Sequence, residues 1–357
     1  MTTTEHNIVK PAKLVETALG FLEQELIVPR LFQKEGIDQF KGSENDTITI
    51  KVEGVLPHHT YGWRNDRTNP ITFDAYAERT TTVAFQGNYY SAVKLTDEQN
   101  DFDIENWAKL LRPQARAVGR ALQRGAVSTL TDQTYEVTIG NAEQDLRGAL
   151  VEARRVLNAF NVPDQPRTLL VGSQFESALL NDDELNFASN VGDNQAESAL
   201  TNATIGRRFG FTVVTDQTIG ATDAYALVPS AFIFLSGAPS VPQSVPFGAT
   251  DSFEGIALRW VRDYDPTYLQ DRSVVNTYAG FRAVEDPLVY WDPTANGGLG
   301  SEVVTASEYF VRAVKLTLDG SSNYPAYTNE VAVATGVSDT AVWTPSGYAH
   351  ESAVENS

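Results

Sequence analysis

Apolar and polar positions alternate along this chain with two different periods, and the switches between them mark its elements. Leu14/Val15, Ala18, Leu22 and Leu26 recur at helical spacing, which predicts a helix from Pro11 to about Val28 that Pro29 ends. From Thr47 to Leu56 the period becomes two: Ile48, Ile50 and Val52 point one way, and Thr47, Thr49 and Lys51 the other. A return strand is predicted from about Arg79 to Leu95, with Val83 and Phe85 alternating with Thr82, Ala84 and Gln86. The polar, aromatic stretch PHHTYGWRNDRTNP between them reads as the tip of a long two-stranded finger. An isolated hairpin is marginal in water, so a finger of this length needs a surface to lie on.

The next stretch, 102–130, organises the chain. Asp101 or Asp103 can cap a short helix. Pro113 suits a first turn better than a helix interior, which predicts a break near Arg112 and a long helix from Pro113 to about Leu130. Val118, Leu122 and the pair Ala121/Gly125 give it a narrow apolar seam. Arg112, Arg116, Arg120 and Arg124 recur every four residues and draw a slowly drifting cationic stripe. Such a stripe is either a solvated helix face or a surface beside something anionic: acidic groups of a neighbouring chain, or nucleic acid.

Beyond it, the pattern predicts a strand at Gln133–Ile139 and a helix at 142–160 carried by Leu146, Leu150, Ala153, Leu157 and Phe160. A buried strand at 167–172, a short helix at 173–180 and a loop at 181–204 follow, then short β segments in FGFTVVTD and AYALVPSAFIFL. Helix and strand in this order predict a compact α/β or α+β domain. GAPSVPQSVPFGAT (237–250) reads as a connector and domain boundary, followed by two long strands, 253–265 and 271–286, joined at DPTYLQ. EDPLVYWDPTANGGLG reads as a loop and 307–319 as a strand. The last 38 residues are Thr/Ser/Ala-rich with weak strand signals at Val331–Ala334 and Ala341–Trp343.

Charge changes this picture more than composition does. The 357 residues carry a net charge of −19. Residues 1–130 hold 15 Lys+Arg against 17 Asp+Glu, a net of −2, and residues 131–357 hold 12 against 29, a net of −17. The two parts therefore face different surroundings, and the acidic part argues against bulk nucleic-acid or membrane binding there. With no cysteine there are no disulfides and no thiolate chemistry. No apolar run is long enough for a membrane span, and no secretion signal is evident, which predicts a protein that stays in the cytoplasm of the cell making it or leaves by lysis.

No set of residues offers a base, a nucleophile and an orienting partner together. There is no phosphate-binding glycine loop, dinucleotide fingerprint or nucleophile elbow. His58 and His59 are adjacent, so on a strand they point to opposite faces and do not share a metal. DEQNDFD (97–103) lacks the glycine and the terminal glutamate of a calcium loop and reads as an acidic helix start. NDDE (181–184) reads as a solvated loop, and Asp263, Asp265 and Asp271 as turn residues. Neither an enzyme, a cofactor nor a metal centre is expected.

The order of elements resembles one family, the major capsid proteins of tailed bacteriophages with the Hong Kong 97-like fold, and within it the coat proteins of the "gene 5" kind in actinobacterial phages. LVETALGFLEQELIVPRLF resembles the N-terminal arm helix, and FKGSENDTITIKV the entry into the extended loop, where Asn45–Asp46–Thr47–Ile48 stands for the usual Gly–Asp–Thr–Val. YYSAVKLTDEQ followed by LLRPQARAVGRAL resembles the run into the spine helix. NVPDQPRTLLVG, IGRRFGFTVVTD and the hairpin 253–285 resemble the axial and peripheral domains, so that the resemblance spans about 10–318.

The resemblance implies an α+β chain with an N-terminal arm (1–45), an extended β-hairpin loop (46–96), a peripheral domain with the spine helix (97–165), an axial domain (166–250), the peripheral β-strands (251–318) and a C-terminal extension of open role (319–357). It implies a coat protein that assembles with itself into pentamers and hexamers, forming the icosahedral head of a tailed phage around double-stranded DNA touched non-specifically. Its partners would be a portal protein, with scaffolding and decoration proteins in some members, and no membrane. The place is the virion, after assembly in the host bacterial cytoplasm. The loop-tip residues Tyr61, Trp63, Arg64 and Arg67 are expected at an inter-subunit contact. Some members weld subunits through a lysine of this loop; residues 57–75 hold none, so no covalent linkage is expected. A β-rich virion or cell-surface adhesion module is the alternative reading.

Overall fold

The computed structural model describes residues 26–36, 47–52, 56–59, 70–71, 73–76, 79–100, 107–140, 146–163, 166–181, 207–245, 247–253, 256–292, 301–318, 325–327, 342–344 and 347–349. These fall into two compact units. One draws on 1–50, 82–131 and 232–282, the other on 51–81, 132–231 and 283–357.

The first unit is a six-stranded sheet with the long helix on it. Along the sheet run Gln33–Gly36, Phe232–Gly237, Gln270–Ala283, Ile256–Asp265 and Phe247–Phe253, and Gly87–Thr96 also pairs with Gln270–Ala283. The two long strands form the antiparallel hairpin that their alternation predicts, with Trp260 opposite Val275 and Asp263 opposite Arg272. Ile256, Leu258 and Trp260 are buried on one face. Part of the expected connector is itself a strand: Phe247–Phe253 pairs antiparallel with Ile256–Asp265.

The long helix runs unbroken from Ala108 to Asp132 with Pro113 inside it. The break expected near Arg112 is absent. The amides of Leu110 and Leu111 both donate to the Trp107 carbonyl, which starts the helix one turn before the proline. Pro113 then costs only the one bond its nitrogen cannot donate, and the buried side chains on both sides of it offset that. Leu111, Ala115, Val118, Leu122, Ala126 and Leu130 form the buried face. Two buried polar residues lie on it. Gln114 donates to the carbonyls of Ser91 (3.3 Å) and Ser273 (3.1 Å) and accepts from Ser273 Oγ at 3.0 Å. Gln123 Oε1 accepts from the amides of Ile27 (3.0 Å) and Val28 (3.1 Å).

The helix expected over Pro11–Val28 lies outside the described residues apart from its last three. Pro29 does not end a helix here; it sits in the first turn of a short one, Val28–Leu31, where a missing amide costs nothing. Phe32 then stacks on Phe232 with centroids 4.7 Å apart, and Gln33–Gly36 runs parallel to Phe232–Gly237.

The finger's return strand is two strands in two sheets. Arg79–Ala84 pairs with Thr47–Val52, while Gly87–Thr96 pairs with Gln270–Ala283. At the switch the Gln86 amide donates to the Ala279 carbonyl (2.9 Å) and its side chain to the Phe281 carbonyl (2.8 Å). A side chain at Gly280 would put its Cβ 2.2 Å from the Ala84 carbonyl oxygen, so glycine is what lets the backbones meet there. After Gly87–Thr96 the chain turns through a capping box: Thr96 Oγ1 accepts from the Gln99 amide and Gln99 Oε1 from the Thr96 amide. Hydrogen bonds to its own backbone amide and to Thr96 hold the Glu98 carboxyl below its ordinary range, as suits an acid in a first helical turn.

The second unit is a seven-stranded mixed sheet in the order Pro325–Tyr327, Val137–Ile139, Ala313–Thr317, Asp223–Leu227, Arg167–Val171, Phe211–Thr215, Arg207–Arg208. Arg167–Val171 is buried along its whole length and runs parallel to Phe211–Thr215. The helix Leu146–Ala159 buries Leu146, Ala149, Leu150, Ala153, Val156 and Leu157. The helix Ser173–Asn181 buries Phe175 and Leu179.

Four expectations are corrected in this unit. The strand at Gln133–Ile139 is only Val137–Ile139, and the helix expected to reach Phe160 ends at Ala159. The loop expected after Glu285 begins as a strand, Asp286–Asp292, paired antiparallel with Ser301–Tyr309. The single strand expected at 307–319 is interrupted, because Phe310, Val311 and Arg312 carry the chain from that hairpin into Ala313–Thr317 of the large sheet. Arg312 fixes the corner through the Asp286 carboxylate and the Ser230 carbonyl. Near the C-terminus Val342–Thr344 pairs with Gly347–Ala349, while the 181–204 loop beyond Asn181 and Val331–Ala334 lie outside the described residues.

Candidate subunit-assembly surfaces

The arginine stripe starts beside the buried seam at Arg112 and drifts away from it toward Arg124. Arg112, Arg120 and Arg124 are exposed and Arg116 is half-buried. Four-residue steps rotate about 40° and rise about 6 Å each, so the stripe turns through roughly a third of the helix circumference. With Leu111, Ala115, Val118 and Leu122 buried, Arg120 and Arg124 are turned outward, while Arg116 is partly covered. Among the described residues Arg120 and Arg124 make no ion pair, so these cations face outward within their unit.

The long hairpin carries a second feature. Arg262 donates to Asp271 at 2.6 Å, and Arg272 donates to Asp263 at 2.6 Å with Asp265 at 3.4 Å. The three aspartates are thus more than turn residues; each is held by an arginine on the facing strand. The signal was present in the sequence as the Arg/Asp alternation flanking the turn, which cross-strand register converts into pairs. Beyond the ladder, Tyr268 and Leu269 are 71% and 61% exposed, and Tyr264 donates to Asp97 at 3.0 Å.

The loop-tip residues Tyr61, Trp63, Arg64 and Arg67 lie outside the described residues. Both flanks of the tip are partly described. Leu56, Ile71, Phe73 and Tyr76 are exposed, Phe73 to 86%. His58 Nδ1 lies 2.9 Å from Glu302 Oε2, and its ring stacks on Trp291 with centroids 5.5 Å apart. His59 Nε2 lies 2.7 Å from Asp74. The two imidazoles therefore have separate carboxylate partners. Hydrogen bonds from the His58 side chain and amide hold the Glu302 carboxyl below its ordinary range. No described helix is long and apolar enough to cross a membrane.

One unit thus sets a long helix on a long-stranded sheet, and the other is a mixed sheet with helices of its own. Residues 78–284 match the phage capsid protein family, and the chain belongs to that family. No curated protein matches it. Among solved structures it resembles a Mycobacterium phage Che8 protein with a TM-score of 0.55 at 16% identity, covering 83% of this chain and 92% of that one. It also resembles the capsid of cyanophage P-SCSP1u, with a TM-score of 0.56 at 10% identity over 89% of this chain and 92% of that one. A third likeness is to the mature capsid of bacteriophage PhiM1, with a TM-score of 0.54 at 9% identity over 82% and 86%. The fold is the α+β Hong Kong 97-like capsid fold. The protein is a major capsid protein, a non-enzymatic component of the virion that associates with itself to form the phage shell. The adhesion-module alternative is set aside.

Proposed function

We propose that the chain assembles into pentamers and hexamers that close an icosahedral head around double-stranded DNA. The unit with the long helix serves as the peripheral domain and the seven-stranded unit as the axial domain, with residues 1–45 as the arm and 46–96 as the extended loop. The loop tip, through Tyr61, Trp63, Arg64 and Arg67, rests on a neighbouring subunit. The stripe Arg112, Arg116, Arg120 and Arg124 meets acidic groups of the same or an adjacent subunit, with packaged DNA a secondary, non-specific partner. Assembly takes place in the host bacterial cytoplasm, on a portal and with scaffolding or decoration proteins where the phage encodes them.

The observation that carries this reading is the outward cationic face on a protein of net charge −19. Like-charged tiles repel unless cations lie between them, and this helix presents Arg120 and Arg124 without a carboxylate among the described residues. The exposed Phe73 and Ile71 beside the tip support the same conclusion for the loop. Electron microscopy of the protein expressed alone and with its scaffold tests it. Closed particles tens of nanometres across, built of five- and six-membered rings, are the expected result. A monomer under every salt and co-expression condition rejects it.

A further inference from the structure

One edge of the six-stranded sheet is open. Among the described residues Gly87–Thr96 pairs only with Gln270–Ala283, in a continuous register from Gly87 opposite Ala279 to Thr96 opposite Gln270. Successive residues of such a strand send their amides and carbonyls to opposite sides. Gln114 Nε2 reaches both the Ser91 carbonyl (3.3 Å) and the Ser273 carbonyl (3.1 Å). One nitrogen cannot reach carbonyls on the outer sides of two strands about 4.8 Å apart, so both lie in the space between them. The odd-numbered residues of Gly87–Thr96 therefore bond to the neighbouring strand. Asn88, Tyr90, Ala92 and Lys94 turn their amides and carbonyls the other way, and all four are exposed, Tyr90 to 70%.

The usual devices that blunt an edge strand are shortness, proline, a bulge or several charges. This strand has 10 residues, no proline and no register shift, and it is rich in good strand formers such as Tyr89, Tyr90, Val93 and Thr96. Its one charged side chain is Lys94. Lys94 stands opposite Arg272, which is already held by Asp263 at 2.6 Å and Asp265 at 3.4 Å. Lys94 itself makes no ion pair among the described residues.

We infer that Gly87–Thr96 pairs antiparallel with the same strand of a second copy of the chain, about a twofold axis at Ala92. In that register Ala92 faces Ala92, Tyr90 faces Lys94 and Asn88 faces Thr96. These side chains share one sheet face, so each lysine lies beside the other copy's Tyr90 ring as a cation–π pair, and the two lysines stay apart. The neighbouring registers that also bring the open amides and carbonyls together set Tyr90 against Ala92 or Thr96 and lose both pairs. Main-chain bonds supply the attachment and the side-chain pairs set the register. The contact is self-complementary, as a twofold contact must be. It uses neither the loop tip nor the arginine stripe and is defined without a shell; in a closed icosahedral shell it would sit on a twofold axis relating two rings.

The chain has no cysteine, so a single introduced thiol reports the contact. Ala92→Cys places two thiols across the axis with Cα atoms about 5.5 Å apart, within disulfide range. Lys94→Cys places them about 13 Å apart along the strands, out of range. After mild oxidation of particles or concentrated subunit, the Ala92→Cys chain is expected to run as a linked pair on a denaturing gel and the Lys94→Cys chain as single chains. Ala92→Pro removes the amide at the axis and spares the bonds to Gln270–Ala283, since that amide faces the open edge. Pairing read by sedimentation should weaken about tenfold or more. Tyr90→Lys should weaken it too, by opposing two lysines, and Tyr90→Lys with Lys94→Glu should restore it. Four residues apart in one strand, those two side chains do not meet, so recovery reports the contact between copies. Circular dichroism and thermal melting establish that each variant is folded, and Tyr90→Lys replaces Ala92→Pro if the proline chain is not.

Ala92→Cys chains that stay single in both particles and concentrated subunit overturn the inference. So does Lys94→Cys linking as readily as Ala92→Cys, or pairing that is unchanged in a folded Ala92→Pro or Tyr90→Lys chain. Linked pairs from a chain that never closes a shell defeat the shell reading alone and leave this contact standing; closed shells whose Ala92→Cys chains stay single do the reverse.

Discussion

The guanidinium of Arg262 lies 4.0 Å from the centroid of the Trp107 ring. Trp107 is the residue whose carbonyl starts the long helix, and Arg262 is in the long hairpin, held on its other side by Asp271 at 2.6 Å. One side chain thus ties the helix start to the sheet by stacking and to the hairpin's partner strand by charge.

Arg262→Lys should therefore destabilise the subunit although it keeps the charge. An ammonium cannot stack as a plane on Trp107 while donating to Asp271. A loss of about 1–2 kcal/mol is expected, given a partly exposed pair and one cation–π contact. Thermal unfolding of the unassembled subunit measures it; a midpoint equal to that of the natural chain would show that the stack contributes nothing.

Gly125→Ala sets two effects of opposite sign against each other. Helix propensity favours alanine by about 1 kcal/mol. The new Cβ, however, would lie 2.7 Å from Phe281 Cε2 and 3.2 Å from Tyr89 Oη. Phe281 is buried and stacked on Phe234 at 5.1 Å, so it cannot give way without disturbing a second ring. Overpacking of this kind costs about 1–3 kcal/mol, and the net expectation is destabilisation. A rise in the unfolding midpoint would mean that the ring yields.

The sequence made some of these relationships legible and hid others for identifiable reasons. The seam through Val118 and Leu122 and the alternation through Ile256, Leu258 and Trp260 are period signals, and the structure keeps them. Gln114 and Gln123 could not be read as core because their burial depends on backbone groups of Ser91, Ser273, Ile27 and Val28, far away in the chain. The corner at Phe310–Arg312 was invisible because its apolar residues extend the strand pattern across it. Pro113 misled because propensity argues against an internal proline, and packing on both sides of it outweighs the single lost bond. The arginine stripe was legible as a spacing, but what it meets is not, since a spacing along one chain names no partner.

Gln123 gives the third prediction. Its Oε1 is the acceptor for two buried amides, those of Ile27 and Val28. Gln123→Leu removes that acceptor and leaves two donors unsatisfied, at about 1–3 kcal/mol each if the segment stays buried. The segment is expected to detach instead, so hydrogen exchange of residues 26–36 should accelerate at least about tenfold while the long hairpin stays protected. Unchanged exchange at 26–36 would remove Gln123 from this role.

Covalent state is the fourth. With no lysine in residues 57–75, the loop tip lacks the amine that an isopeptide weld requires. Boiled, denatured particles should run as single chains near 39.1 kDa. A ladder of higher bands would contradict this and would send the search for a nucleophile to the eight lysines elsewhere in the chain.

The spine-helix stripe gives the last. Arg116 is half-buried and Arg120 exposed on a face that turns away from its own sheet. Changing both to Gln keeps a polar side chain and a similar helix propensity while removing two cations, and the isolated subunit should remain folded. Exposed pairs are worth about 0–1 kcal/mol each and partly buried ones more, yet a shell repeats each contact in every subunit. Empty shells should therefore dissociate at lower denaturant or higher salt than natural ones. If the counter-charges are carboxylates of neighbouring subunits, emptying the shell of DNA leaves that difference unchanged. If empty shells are indistinguishable from natural ones and only filled particles weaken, the stripe faces the packaged DNA.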